Sequence, residues 1–274
     1  MASRDTGTKD LLSTLDGGVL VLTLNRPEAR NAMSSAMVSA LEEQLKFAET
    51  DASVRCVVLT GAGPAFCAGG DVKGMAASGD GTVGERTIDT AIHEQSVNQR
   101  GTAGRLYRMP KPTIAALPGA AAGAGLSLAL ACDLRLMSST AIMTTAFARV
   151  GFSGDYGGTY FMSQLIGAAK ARELYYLSER VSADEALQLG LTNYVCEPAE
   201  LEGKAVELAT RLASGPTVAY RYMKENLNRA VAGASAEECM DLEATHHIHC
   251  GQTEDHQNAA KAFVEKREPV FKGV

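Results

Sequence analysis

No stretch of this chain reaches the roughly 18 uninterrupted apolar residues that a membrane span requires. The opening segment, Met1 to Asp10, is polar and lacks the apolar centre of a secretory signal, so the expectation is a soluble, cytoplasmic protein. There is no CxxC pair either. The six cysteines, at 56, 67, 132, 196, 239 and 250, lie scattered, which fits reduced thiols in a core and not a disulfide framework. Basic charge is short: 26 Lys and Arg against 32 Asp and Glu leave a net charge of −6. That balance argues against nucleic acid as a main partner, while local Arg and Lys can still serve a phosphate-bearing ligand. No fixed period recurs along the chain, so a solenoid is excluded. Gly119 to Gly125 is rich in glycine but lacks GxGxxG spacing, and no acidic residue follows about 20 positions on at the end of a next strand, which disfavours a dinucleotide site.

What is present is apolar. With 46% hydrophobic residues over 274 positions, the chain can bury a large core, and a prior of roughly 150 residues per domain gives one large domain or a domain plus an appendage. Val19 to Leu24, Val54 to Thr60 and Thr113 to Leu117 are continuous β-prone runs that read as strands buried on both faces. Met37, Leu41, Leu45 and Ala48 recur at helical spacing behind Ser34 and Ser35, predicting a crossover helix over about 35 to 50. Ala76 to Gly84 has almost no apolar anchor and reads as a mobile loop, with a long polar helix from about Glu85 to Met109 after it. Beyond Gly151 helices take over. Ser182-Ala183-Asp184-Glu185 predicts a capping box for a short helix closed by Gly190. Leu201, Ala205, Leu208 and Leu212 stripe another helix, ended by Gly215-Pro216, and three further helical patterns span about 217 to 231, 235 to 250 and 254 to 267. The division of the chain is placed at 1–205 for an α/β core and 206–274 for a helical C-terminal region.

Two small-residue segments about fifty residues apart carry the chemistry: Phe66-Cys67-Ala68-Gly69-Gly70-Asp71-Val72-Lys73, and Pro118 to Ser127. Turns of Gly and Ala let a ligand oxygen approach backbone N–H groups closely. Two such amides converging on one oxygen form an oxyanion hole. The second segment runs into an apolar helix, Leu126 to Cys132, whose free N-terminal amides and dipole would face that oxygen. The implied substrate is a carbonyl that becomes an enolate.

With these motifs, together with Asn25-Arg26-Pro27 and Phe263-Val264-Glu265-Lys266-Arg267, the chain resembles the crotonase superfamily (enoyl-CoA hydratase/isomerase family) from about Gly18 to Gly273. The resemblance implies an α/β fold: a spiral of β-β-α repeats with a helical C-terminal trimerisation region, commonly as a dimer of trimers. It implies an acyl-CoA thioester substrate, with coenzyme A as part of the substrate and no separate cofactor or metal. By position in the motifs it implies Ala68 and Ala124 as the oxyanion donors. Gly69, Gly70 and Asp71 would cradle the thioester and pantetheine arm, and Arg30, Phe263 and Lys266 would contact the nucleotide, the last two on a neighbouring subunit's ligand.

Hydratases of this family hold their water with two glutamates; the matching positions here are Ser127 and Phe147. Asp155 instead stands where some isomerases of the family carry an acid/base aspartate. Hydration usually takes two carboxyl groups, whereas moving a double bond from the 3- to the 2-position needs one shuttle. The expectation is therefore isomerisation with Asp155 as the sole acid/base, its pKa raised between Phe147, Phe152 and Tyr156. A 2-enoyl-CoA hydratase and a catalytically silent acyl-CoA binder are the alternatives. Plainer readings accompany each residue. Asp155 could cap a helix starting near Gly157. Cys67 reads as a small buried thiol, Ser127 as a hydroxyl bonded back to its helix, and Asp71 as a ligand contact or a turn cap. His246-His247-Ile248-His249-Cys250 has metal-like spacing, but exposed or interfacial histidines are the better account.

Overall fold

Val19–Leu24 (β3) illustrates how this sequence builds its main sheet: six apolar or β-branched residues that pair antiparallel with Leu11–Asp16 (β2) on one side and parallel with Cys56–Gly61 (β4) on the other. The computed structural model describes residues 2–71 and 87–274. The expected loop at 76–84, Val72 and Lys73 of the first motif, and the expected helix start at Glu85 lie outside the described residues. With Ala2–Arg4 (β1), Thr113–Leu117 (β6), Leu134–Ser138 (β8) and Tyr194–Cys196 (β11), the main sheet has the order β1-β2-β3-β4-β6-β8-β11, parallel from β3 to β11. Ala65–Cys67 (β5), Ala120–Ala122 (β7), Ile142–Thr144 (β9) and Val181–Ser182 (β10) form a second, smaller sheet in the order β10-β9-β7-β5.

Each turn of the chain therefore lays one strand in the large sheet, one in the small sheet, and then a helix: β4, β5 and the helices Ile88–Gly101 and Ala103–Arg108; then β6, β7 and the helix Ala124–Ala131; then β8 and β9. This is the expected β-β-α spiral. The strands are apolar on both faces because both are covered. On β4, Val57 and Leu59 pack in the core with Met37, Leu41 and Leu45 of the helix Ser35–Thr50. Their neighbours Cys56 and Val58 face the other way, against Leu201, Ala205 and Ala209. Ser34 caps Ser35–Thr50 through Oγ, which accepts from the Met37 N–H at 3.1 Å. Leu41 and Leu45 are buried to within 1%, so truncating either to Ala costs about 2–5 kcal/mol.

Three details differ from the sequence expectations. The polar helix is two helices, broken at Thr102, whose Oγ1 donates to the Asn98 carbonyl at 2.7 Å and competes with the next backbone turn. At Ser182 only half of the capping box forms, Oγ accepting from Glu185 N–H; among the described residues the two-way box is at Ser235 and Glu238. The division at 205/206 falls inside the continuous helix Leu201–Ala213, which seals the outer face of the large sheet and so belongs to the core.

The helices Thr217–Val231, Ala236–Gly251 and Glu254–Glu265 follow. Lys224, buried to 8%, ties them to the core by donating to the Leu106 carbonyl and the Asp133 carboxylate, each at 2.9 Å. Large apolar side chains stay exposed on this region, among them Leu227, Ile248, Phe263 and Val264. Among the described residues, no helix is long and apolar enough to cross a membrane.

Candidate active site

The loop Asn25–Met33 serves as a bracket for the first small-residue segment. Asn31 is fully buried and sits at φ 57°, a left-handed conformation that Asn tolerates better than most residues. Its Oδ1 accepts from Arg26 N–H at 2.9 Å, and its Nδ2 donates to the carbonyls of Ala62 (2.9 Å) and Ala65 (2.8 Å). Three further rungs join the two loops. The Cys67 thiol donates to the Asn31 carbonyl at 3.1 Å, Ala68 N–H to the Arg30 carbonyl at 2.9 Å, and Met33 N–H to the Gly69 carbonyl at 2.8 Å. Arg26 Nη1 and Nη2 both reach Asp71 Oδ2 at 3.2 Å.

This arrangement corrects the expected donor. Ala68 lines the cavity, but its N–H is consumed by Arg30, so it cannot point at a substrate oxygen. Two residues on, the Gly70 N–H has no partner among the described residues and lines the same cavity. On the second segment, Gly123 precedes the helix Ala124–Ala131, whose N-terminus has no side-chain cap, and Ala124 as the first helical residue keeps a free N–H. The two segments touch backbone to backbone. A Cβ on Gly69 would lie 2.9 Å from the Ala122 carbonyl oxygen and 3.3 Å from Ala124 N; one on Gly125 would lie 2.5 Å from the Cys67 carbonyl oxygen. Only glycine permits that approach.

A cavity of about 450 Å³ opens over this junction, lined by Gly69, Gly70, Ala124, Phe147, Phe152 and Asp155 among others. A second lobe of about 580 Å³ shares Gly70, Gln95, Ala124 and Asp155 with it and adds more polar walls, including Ser34, Ser35, His93 and Glu94. Asp155 thus lines both lobes, as do Gly70 and Ala124. Its Oδ1 is buried and has no hydrogen-bond partner. Burial pushes its pKa up from the ordinary carboxylate value to about 6. The helix-cap reading fails: the helix Gly158–Leu177 has no side-chain cap, and Asp155 contributes only its carbonyl, accepting from Gly158 N–H at 3.0 Å. Of the three aromatic neighbours expected, Phe147 and Tyr156 are buried and Phe152 is 58% exposed at the rim.

Ser127 does not line the cavity. Its hydroxyl donates to the Gly123 carbonyl at 3.2 Å, and its Oγ is packed against Gly158, so its place in the substrate site is withdrawn. Phe147 does line it, with its back stacked on Tyr175 at 5.9 Å between ring centroids. Arg30 is exposed and bonds the Ala68 amide through its carbonyl; Phe263 and Lys266 are exposed on the far C-terminal helix, and neither lines this cavity within one chain. Cys67 is a buried thiol pushed up to about 12 by burial, unsuited to nucleophilic work. Of the histidines expected to be exposed or interfacial, His246 is covered within the chain. It is buried, stacked on Tyr222 at 4.2 Å, with Nδ1 2.6 Å from Asn226 Oδ1. Among the described residues no His, Cys, Asp and Glu cluster could hold a metal ion. Sequence reasoning missed Asn31, Gln95 and Gln99, polar residues that carry no motif and show their role only through tertiary contacts.

Known proteins resemble this chain along nearly its whole length. Residues 14–274 match the family model described as enoyl-CoA hydratase/isomerase. The chain is 35% identical over 263 residues to the 1,2-epoxyphenylacetyl-CoA isomerase of Escherichia coli (strain K12), covering 96% of this chain and 98% of that protein. It is 34% identical over 255 residues to the short-chain-enoyl-CoA hydratase of Clostridium acetobutylicum, covering 92% and 93%. Among solved structures, the enoyl-CoA hydratase from Bacillus anthracis superposes with a TM-score of 0.88 at 32% identity, over 97% of this chain and 100% of that one.

Proposed function

The chain belongs to the enoyl-CoA hydratase/isomerase family of the crotonase superfamily and is an enzyme of that family, and from that premise we propose that it moves a carbon–carbon double bond in an acyl-CoA. Asp155, ionised, removes a proton from C2 of a 3-enoyl thioester. The electron pair of the broken C2–H bond moves into the adjacent thioester carbonyl, giving an enolate that the C3–C4 double bond extends to a dienolate. The N–H groups of Gly70 and Ala124 hold that oxyanion, with the positive end of the Ala124–Ala131 helix behind it. Asp155, now protonated, returns the proton to C4, and the double bond is left between C2 and C3. No water is consumed and one carboxyl serves both transfers.

The observation that carries this reading is the half-buried Asp155 carboxyl: its Oδ1 is buried without a hydrogen-bond partner, and among the described residues it is the one acid lining the cavity that Gly70 and Ala124 also line. A base with a pKa near 6 is ionised at neutral pH yet basic enough to abstract a carbon-bound proton. Ser127 and Phe147 supply no second acid. Glu94, in the adjoining lobe, favours the hydratase as a second reading, because it is a carboxylate facing the same junction. Coenzyme A then enters only as part of the substrate, and the exposed Phe263 and Lys266 fit contacts to a neighbouring subunit's ligand in a homotrimer or dimer of trimers.

Supplying a 3-enoyl-CoA and, separately, a 2-enoyl-CoA distinguishes the readings by chromatography. Isomerisation predicts 2-enoyl product from the first and no 3-hydroxyacyl product from the second. Rapid hydration of the 2-enoyl-CoA, lost in Glu94→Gln, would overturn it in favour of the hydratase.

A further inference from the structure

Among the described residues no hydrogen bond reaches the Asp155 carboxyl to fix its direction, so its aim depends on the backbone around it, and that backbone is unusual. Gly154 lies at φ 118°, Tyr156 at 49° and Gly157 at 76°. For Tyr156, which has a Cβ, the left-handed conformation is strained and persists only when neighbours enforce it. Among the described residues, one side-chain hydrogen bond reaches the stretch Phe152 to Gly157: the Tyr156 N–H donates to Gln99 Oε1 at 3.0 Å. Gln99 is partly buried on the helix Ile88–Gly101, across the cavity, and lines it. Phe161, packed under Gly157, closes the loop from beneath but bonds only through its backbone.

We infer that Gln99 is a positioning residue: by accepting the Tyr156 N–H it holds the strained loop in the conformation that keeps the Asp155 carboxyl in the cavity lined by Gly70 and Ala124. The inference rests on the isomerase reading for its catalytic consequence, but the geometric coupling of Gln99 to Asp155 does not. Neither Oε1's role as acceptor nor its place in the cavity requires charge, so a carboxylate at this position can replace the amide as acceptor while adding a negative charge beside Asp155. The other ionisable groups near Asp155 are the Tyr156 and Tyr175 phenols, the Cys67 thiol, and His93 and Glu94 in the second lobe. None of these changes in the variants below.

Two variants test it. Gln99→Leu removes the acceptor, and kcat for the 3-enoyl-CoA falls tenfold or more, about what a small misplacement of a catalytic group costs, with KM within about threefold because the thioester amides are untouched. Gln99→Glu keeps the acceptor, retains the plateau kcat within about threefold, and moves the acidic limb of the kcat/KM profile to higher pH through repulsion of the Asp155 carboxylate. A Gln99→Leu enzyme with unchanged kcat, or a Gln99→Glu enzyme as impaired as Gln99→Leu, overturns the inference. Titration of Asp155 by carbon-13 NMR of carboxyl-labelled protein, without substrate, gives a readout independent of activity. The Asp155 midpoint moves in both variants if Gln99 governs the loop and stays fixed in Gln99→Leu if it does not. An inactive wild type with a shifting midpoint would sink the isomerase reading alone.

Discussion

The two walls of the cavity are held in opposite ways. The wall that offers the amides is over-bonded: Asn31 satisfies three partners, and Cys67, Ala68 and Gly69 are each pinned to the Arg30–Met33 side by a hydrogen bond. The wall that carries Asp155 has, among the described residues, a single side-chain tether and three positive-φ residues, Gly154, Tyr156 and Gly157, around the acid. The contrast fits the division of labour. An oxyanion hole works by being rigid before charge develops, whereas a carboxyl that takes a proton from C2 and returns it to C4 has to serve two points about two bonds apart. On the proposed mechanism, stiffness lies where charge would be stabilised and slack where the proton would travel.

The largest effect that sharpens this comparison is on the slack side. Asp155→Asn lowers kcat on a 3-enoyl-CoA by about a hundredfold or more, the usual worth of a general acid/base, while acyl-CoA binding measured by calorimetry stays close to wild type. Retained activity within a few-fold breaks the account. On the stiff side the effect is on stability. Asn31→Ala strands the Arg26 N–H and two buried carbonyls, and chemical denaturation will show a loss of about 2–4 kcal/mol; a loss under 1 kcal/mol would mean that the bracket is redundant.

Asp155→Asn has a second, smaller consequence, with the opposite sign. Because burial raises the Asp155 pKa to about 6, the folded state binds this proton more tightly than the unfolded chain does. Its contribution is most favourable below the unfolded value and is lost as pH rises through 6. Above that pH the ionised, unpartnered carboxylate costs about 1–2 kcal/mol after allowance for partial solvent screening. Asp155→Asn is therefore more stable than wild type at pH 7.5 and no more stable at about pH 4, as thermal melts at the two pH values will show. The smallest effect expected is at Cys67. Cys67→Ala changes kcat by less than about threefold, because the thiol is un-ionised, and although it donates to the Asn31 carbonyl and accepts from the Gly69 N–H at 3.5 Å, the Ala68 and Met33 backbone bonds still hold the segment in place. A large loss would restore a chemical role to the thiol.

Much of the fold was legible because its signals are local. Val19–Leu24 and Thr113–Leu117 are uninterrupted apolar runs between turn residues, and the Ser34 cap with its Met37, Leu41 and Leu45 stripe marks the helix Ser35–Thr50 at both ends. The break at Thr102 was not legible, since a threonine hydroxyl bonding back to a carbonyl leaves no periodicity to read. At the site, the small-residue motifs and Asp155 were legible as parts of one cavity lining, and the direction of the Asp155 pKa shift followed from its apolar surroundings. The wrong donor in the first motif had a physical cause. Ala68 and Gly70 are both small residues in the same turn, and only the tertiary bond from Ala68 N–H to the Arg30 carbonyl tells which amide is free. Ser127 was likewise assignable to the site from spacing alone, until its packing against Gly158 turned it away.

The central claim, one carboxyl for both proton transfers, is tested most directly by isotope. A 3-enoyl-CoA carrying deuterium at C2 is converted under single-turnover conditions in ordinary water, and the 2-enoyl product is examined by mass spectrometry and NMR. The account predicts deuterium at C4, carried there by Asp155. Product formed at the wild-type rate with hydrogen alone at C4, from the earliest quench onward, would contradict it.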